Sequence, residues 1–409
     1  MTTVAAKHII ITTHYCPLVG GAQTVYDALA SAQPDKIEIL TSSTDYTTGQ
    51  KVAGWEGFDA SAPYSIVRLE EMRPPLVEGP VGFFRRLSMA AYDLLLRRRI
   101  VGRLKRLSKE KSYETIVLGS VDGLGWMMRP LRKIFPDAKI VIYTHGEEIS
   151  QQTYSIRADQ RRAGALRAAD GVVTVSSFTA GLLTSKYGVP RERIELVTNG
   201  VDLAIFDSLP QGNIRSHFGL TSGPLVLGVG RLVRRKGFDT LLAAWPRILA
   251  AVPGAQLAIA GTGPLSEELK AAAARPEMGG SVHMLGFVAD ETLPSLYASA
   301  DLFAMPNRTM PDGDTEGFGL VFLEAAAAGT PSVGGNAGGA VDAILDGETG
   351  RLVDGEDPGA VAFAISELLN DEVTRRRMGE AARSHALTQG WDDKAKQLLS
   401  FFKRLQEES

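Results

Sequence analysis

The chain has 409 residues, 44% of them apolar and 22% charged, which is more than one core usually organises, so two soluble globular domains are expected. The single cysteine, Cys16, excludes an internal disulfide and fits a reducing compartment. No apolar run is long enough to span a bilayer, and the opening MTTVAAKHIIITTHY lacks an apolar stretch of signal length, so the expected location is the cytoplasm.

In chain order, the first half opens with the strand-like run HIIITT (8–13), the pair Gly20-Gly21 and a helical stretch AQTVYDALASA. Strand-like runs follow at 36–42, 115–120, 139–145, 171–177 and 194–200, mostly separated by helical segments, which argues for a parallel sheet covered on both faces. The polar segment DSLPQGN (207–213) reads as a linker. The rhythm then restarts with strands at 224–230, 256–261, 282–287, 301–306, 331–335 and 350–354, and the chain closes on an amphipathic helix, WDDKAKQLLSFFKRLQ. The expected architecture is α/β, with two doubly wound domains facing a cleft where ligands gather beyond the strands' carboxyl ends.

Charge is unevenly spread. Net charge is −3, yet residues 1–206 hold 26 Lys/Arg against 21 Asp/Glu and the remainder hold 18 against 26. From Phe83 to Lys111 ten basic residues face only Asp93 and Glu110, with Phe83, Phe84, Leu87, Leu94, Leu95, Ile100 and Leu104 interleaved at roughly helical spacing. Such a stretch suits an anionic membrane surface, and equally suits a helix packing its apolar stripe on its own domain. No nucleic-acid motif accompanies it, so nucleic acid is not an expected partner.

The chemistry-bearing motifs lie at the expected cleft. EGFGLVFLE puts Glu316 and Glu324 across a turn containing Gly317 and Gly319, opening onto a helix that Gly329 ends. A helix start attracts an anion such as a phosphate, with Glu316 beside it and Glu324 about two turns along. The same spacing fits a plain helix start with solvated glutamates. Arg231 and Lys236 follow a strand and would hold a diphosphate through charge-assisted bonds, although a basic surface turn has the same look. GTGP (261–264) is too short for a dinucleotide fingerprint, and no GxGxxG follows the first strand, which counts against a nicotinamide oxidoreductase. Gly20 and Gly21 could present backbone N–H groups to the same phosphates, and His145 ends a strand on the cleft side. The six histidines and one cysteine show no metal-ligand spacing, and turn chemistry explains Asp312 and Asp314 better than a metal does.

The blocks VGGAQ (19–23), THGEEI (144–149), VTNGVD (197–202), GRLVRRKG (230–237), GTGP and EGFGLVFLEAAAAGTPSVGGNAGG (316–339) resemble the retaining nucleotide-sugar glycosyltransferases of the GT-B fold. The likeness is greatest to the large bacterial group that includes GDP-mannose-dependent phosphatidylinositol mannosyltransferases. It implies two Rossmann-like domains, an acceptor-side domain over 1–206 and a nucleotide-sugar domain over 214–385, with the helix 391–407 packing back on the first. By the same resemblance, Arg231 and Lys236 neutralise the donor diphosphate, Glu316 contacts the transferred sugar and Glu324 the ribose. Phe318, Gly319 and Leu320 meet sugar and phosphate through their backbone, the backbone near Phe287 and Val288 meets the base, His145 touches the sugar near the reacting carbon, and Gly21 approaches the phosphates. Many relatives carry Glu where this chain has Gln23, which weakens an acceptor role there.

The resemblance further implies no metal and no cofactor beyond a nucleotide-sugar co-substrate, with GDP-mannose favoured. The acceptor is expected to be lipid-linked or a glycan, in envelope glycolipid or polysaccharide synthesis, and the enzyme peripheral at the inner face of the cytoplasmic membrane. A UDP-sugar transferase of the same fold, a nucleotide-sugar epimerase and a non-catalytic nucleotide-sugar-binding protein are the alternatives. Lys236→Ala is expected to impair turnover while leaving the fold intact.

Overall fold

A computed structural model describes residues 7–76, 79, 82–153, 155–207 and 214–407. The linker expected at 207–213 therefore lies, apart from Asp207, outside the described residues. Seven parallel strands form the first sheet: β1 His8–Ile11, β2 Ile37–Ser42, β3 Ile66–Leu69, β4 Thr115–Leu118, β5 Lys139–Thr144, β6 Gly171–Thr174 and β7 Ile194–Leu196, in the order β3-β2-β1-β4-β5-β6-β7. Six parallel strands form the second: β8 Leu225–Val229, β9 Gln256–Ala260, β10 Val282–Gly286, β11 Leu302–Met305, β12 Ser332–Gly335 and β13 Gly350–Val353, in the order β10-β9-β8-β11-β12-β13.

These strands read as unbroken apolar runs because helices cover both faces of each sheet, so successive residues are buried alternately above and below. In β1, Ile10 packs with Ile39, Val117 and Val141 in one core, while Ile9 and Ile11 pack with Leu40, Ile116 and Leu118 in another. The first of these cores runs on through Leu398, Phe401 and Phe402 of the terminal helix Trp391–Glu407 into the core of the second domain. That helix lies against the helix Gly21–Ala32, so the chain crosses back to the domain where it started. Lys394 ties the crossing by donating to Thr198 Oγ1 at 2.6 Å.

The pattern reading missed β3. Its four residues are all half-buried at the sheet edge, so Ile66–Leu69 shows neither a continuous apolar run nor a clean alternation. The basic segment is one helix, Phe83–Glu110, of two characters. Leu96, Ile100, Leu104 and Leu107 are buried on the domain, whereas Phe83, Phe84, Leu87, Leu94 and Leu95 stay exposed.

In each sheet the connections reverse direction at the first strand of the half, between β1 and β4 and between β8 and β11. Crevices open at the carboxyl ends of strands beside such a reversal. Gly20-Gly21 follows β1, His145 follows β5, Arg231 to Lys236 follow β8, Phe287 and Val288 follow β10, and Glu316 lies beyond β11. The two carboxyl edges face one another.

Candidate functional site

Lys236 is placed by a single 3₁₀ turn, Arg234–Lys236, in the loop that follows β8. Its ammonium lies 2.5 Å from Glu316 Oε2, and both side chains are about nine-tenths shielded from solvent. Burial alone would raise the Glu316 pKa. Lys236, then Arg235 and the Phe318 N–H, more than offset that and hold it below the ordinary carboxylate value. Arg235 is itself half-buried, 3.3 Å from Asp314 Oδ2 and 3.7 Å from Glu147 of the first domain. Arg231 differs: its side chain is exposed and forms no ion pair among the described residues.

The two expected glutamates have opposite electrostatics. The turn leads into the helix Leu320–Ala327 with Gly319 as its cap at φ 92°, and Glu324 is the fifth helical residue rather than two turns along. A left-handed cap with Phe322 packed beneath it has no room for a side chain; a Cβ at Gly319 would sit 2.6 Å from Phe322 Cδ2. Burial pushes the Glu324 carboxyl above its usual pKa even though Tyr297 donates to Oε2 at 2.7 Å. Glu324 is thus an acceptor held in place by a tyrosine, and Glu316 a charge held by a lysine.

Across the cleft, His145 stacks on Tyr143 with ring centroids 5.1 Å apart, and its Nε2 lies 2.7 Å from the Tyr26 hydroxyl. Its backbone N–H donates to Glu148 Oε1 at 2.7 Å, fixing the turn that follows β5. Desolvation lowers the imidazole pKa to about 3, so the ring is neutral at physiological pH. Desolvation likewise pushes the Glu148 carboxyl up to about 7.

The two halves touch at this point. Gly317 lies against the His145 carbonyl so closely that a Cβ there would overlap the oxygen, and a Cβ on Gly146 would come within 2.7 Å of Gly317 Cα. Ser177 of the first domain donates through N–H and Oγ to Asp342 Oδ2 at 2.8 and 2.9 Å, and the Gln152 N–H donates to the Asp312 carbonyl at 2.9 Å. A cavity of about 450 Å³ opens beside this seam, between Ser177 and Phe178 on one side and Thr309, Asn336 and Gly338 on the other.

The remaining expected residues fall as follows. Gly21 begins its helix with nothing within 4 Å of a would-be Cβ. Gly20 is different, because the Gln23 amide occupies the space a side chain would need. Phe318 is buried, and Leu320 half-buried as the first helical residue. Val288 is buried after β10 while the preceding Phe287 ring is 73% exposed, a free aromatic face at the edge of the second sheet. Asp312 accepts from the Asp314 N–H at 3.0 Å in a local turn. Among the described residues no group of His, Cys, Asp or Glu could hold a metal ion.

Sequence reasoning missed three features. Arg235 looked like one more surface arginine between Arg231 and Lys236, and only its two carboxylate partners reveal it as a link between domains. Tyr26 lies in the stretch AQTVYDALASA without any local signal of a role, and its contact with His145 spans 119 residues of sequence. On the first-domain wall the Arg73 guanidinium lies 4.5 Å from the Tyr46 ring centroid, and the same ring stacks on His14 at 4.1 Å.

Known proteins resemble this chain in sequence and in fold. Residues 212–385 match the family described as glycosyl transferases group 1, and residues 19–205 match glycosyltransferase family 4. A GDP-mannose-dependent alpha-(1-6)-phosphatidylinositol monomannoside mannosyltransferase of Mycobacterium tuberculosis is 38% identical over 74% of this chain and 78% of its own. The protein of the same description from Mycolicibacterium smegmatis is 34% identical over 93% of both chains. Among solved structures, Anabaena HepE in complex with UDP and glucose superposes with a TM-score of 0.76 at 19% identity, over 98% of this chain and all of the other. A sucrose-phosphate synthase from Thermosynechococcus elongatus superposes with a TM-score of 0.74 at 24% identity, over 99% of this chain and all of the other.

Proposed function

The chain belongs to the group 1 glycosyltransferases of the GT-B fold, and from that membership we propose that it transfers mannose from GDP-mannose to a hydroxyl of a lipid-linked acceptor, with retention at the anomeric carbon. The observation that carries the reading is the buried Lys236–Glu316 pair at the carboxyl end of β8, with the exposed Arg231 on the same loop. Relatives named as GDP-mannose-dependent mannosyltransferases, at 34% to 38% identity, favour this donor.

In the proposed reaction the bond between the sugar C1 and the β-phosphate oxygen breaks, and an acceptor oxygen bonds to C1 from the same face. The acceptor proton passes to the departing phosphate oxygen. Negative charge therefore grows on the diphosphate. Arg231, Lys236 and the N-terminus of the helix Leu320–Ala327 stabilise it, a kind of contribution worth about 3 kcal/mol or more per well-placed donor. Glu316 takes hydroxyls of the sugar, and Glu324, kept in place by Tyr297, those of the ribose. Closure at Gly317 and His145 excludes water from the reacting carbon.

A donor screen tests this. GDP-mannose is expected to be turned over faster than UDP-glucose, UDP-galactose or UDP-N-acetylglucosamine, and excess EDTA is expected to leave the rate unchanged. Preference for a UDP-sugar, or strict dependence on a divalent metal, would overturn the donor or the charge assignment. Donor incubated alone should give slow hydrolysis to free mannose; an epimerised nucleotide-sugar would instead favour the epimerase.

The acceptor side includes the projecting helix. No helix among the described residues is long and apolar enough to cross a membrane. Phe83 and Phe84 are 75% and 84% exposed beside Arg85 and Arg86, and a recess of about 380 Å³ lined by Arg97, Arg98, Lys105 and Trp126 lies farther along the same helix. This face would rest on an anionic bilayer, with about 1 kcal/mol of attraction per basic residue at the surface. The protein should float with phosphatidylglycerol-containing liposomes at low salt, less with neutral ones, and Phe83→Ser with Phe84→Ser should weaken flotation. No flotation at low salt would remove the membrane from this reading.

A further inference from the structure

Tyr26 is buried in the core yet ends in a polar group, and its hydroxyl sits between two partners. The Gly119 carbonyl oxygen lies 3.0 Å away and His145 Nε2 2.7 Å away. A tyrosine hydroxyl has one proton, and a carbonyl can only accept. If that proton went to His145, the buried Gly119 carbonyl would lose its donor, the costlier arrangement. With the proton on Gly119, the Tyr26 oxygen must accept, and Nε2 must carry the imidazole hydrogen. The relay Nε2–H to Tyr26 oxygen, Tyr26 O–H to Gly119 carbonyl then satisfies every member and strengthens each bond.

The surroundings favour one geometry. Tyr26 packs edge-on against both Tyr143 and His145, with centroids 5.5 and 5.1 Å apart. His145 lies flat on Tyr143, and the turn after it is pinned by Glu148. The other ring nitrogen, Nδ1, has no protein hydrogen bond among the described residues and is not one of the buried unpaired polar atoms. His145 itself abuts Gly317, one residue from Glu316.

We infer that Tyr26 is a positioning residue that locks His145 as its Nε2–H tautomer, so that the bare Nδ1 meets the transferred sugar as a hydrogen-bond acceptor for one of its hydroxyls. This rests on the reading of His145 as a sugar contact. In this arrangement His145 takes a hydroxyl proton's hydrogen bond and gives none through Nδ1. The hydroxyl it holds must therefore point its own hydrogen at the ring, which orients the sugar about the reacting carbon. With the wrong tautomer an N–H would face that hydroxyl hydrogen.

The experiment has two arms. Nitrogen-15 NMR of histidine-labelled free protein, with His145 assigned by its loss in His145→Gln, should show a pyridine-like Nδ1 and a pyrrole-like Nε2. Tyr26→Phe should then mix the two tautomers. In kinetics, Tyr26→Phe should lower kcat/KM for the sugar nucleotide about tenfold. Affinity for GDP, which lacks the sugar, should stay unchanged. A pyrrole-like Nδ1 in the wild type would overturn the inference, and so would unchanged kinetics in Tyr26→Phe or an equal loss toward GDP. The first arm needs neither donor nor turnover, so it decides the tautomer even if the donor assignment fails, and even if Tyr26→Phe does not fold.

Discussion

Lys236→Ala is expected to lose both catalysis and stability. Turnover should fall about 10²- to 10³-fold, the usual cost of removing one donor from developing negative charge. Stability should fall by about 3 kcal/mol, because Glu316 would be left buried with its nearest counter-charge gone. The loss sits at the low end for a broken buried pair because Arg235 also acts on Glu316. Activity and the denaturant midpoint, measured together, check both halves. Adding Glu316→Gln should recover most of the stability and none of the activity, since the neutral amide tolerates burial without a cation while the diphosphate still lacks the Lys236 charge. A single variant as stable as wild type, or a double variant no more stable than the single, would show that the pair is not buried as described.

The pH dependence follows from the sign of the Glu316 shift. Its folded pKa lies below the unfolded value, so the pair's contribution is fully present above the ordinary carboxylate range and is lost as pH falls through the lowered folded value. The stability gap between wild type and Lys236→Ala should therefore narrow in acid. A gap that widened as pH fell would contradict the assignment.

Gly317→Ala should slow the chemical step while sparing nucleotide binding. The added Cβ would overlap the His145 carbonyl oxygen, so the two domains could not approach as closely at the point where the donor sugar and His145 are proposed to meet. A displacement near 1 Å at a reacting centre costs about 10²-fold in rate. The proposed contacts to the base, and the cationic ones to the diphosphate from Arg231 and Lys236, lie on the second domain and should be unaffected; of the proposed phosphate contacts only Gly21 lies across the cleft. Expected results are a kcat near 1% of wild type and an unchanged GDP affinity by calorimetry. Gly164→Ala is the control. It lies within the helix Ile156–Ala168 with nothing within 4 Å of the added atom, so it should be neutral or stabilising by up to about 1 kcal/mol. Wild-type turnover in Gly317→Ala would remove the close approach from the mechanism.

The burial of the Lys236–Glu316 pair bears on an expectation drawn from the sequence, that this substitution would leave the fold intact, because it adds an expected cost in stability. A basic turn after a strand suggests a solvated cation waiting for phosphate. Nothing local to GRLVRRKG reveals that Glu316, 80 positions away, is its resting partner. The basic segment shows the same limit. Its spacing is helical throughout, yet only tertiary packing separates the anchored part around Ile100 from the exposed end at Phe83 and Phe84. The edge strand Ile66–Leu69 went unread because half-buried residues on an edge leave no periodic signal.

The sequence by itself determined the fold class and the strand sites where chemistry gathers. Parallel strands buried on both faces must be written as apolar runs, and turns that meet a ligand carry glycines and charges at their carboxyl ends, so both are local and legible. Only the tertiary structure decided which polar groups meet: Lys236 with Glu316, Arg235 with Glu147, Tyr26 with His145. Those pairings join residues on different strands and in different domains. Their energies depend on distance and burial, which the order of residues along the chain does not encode.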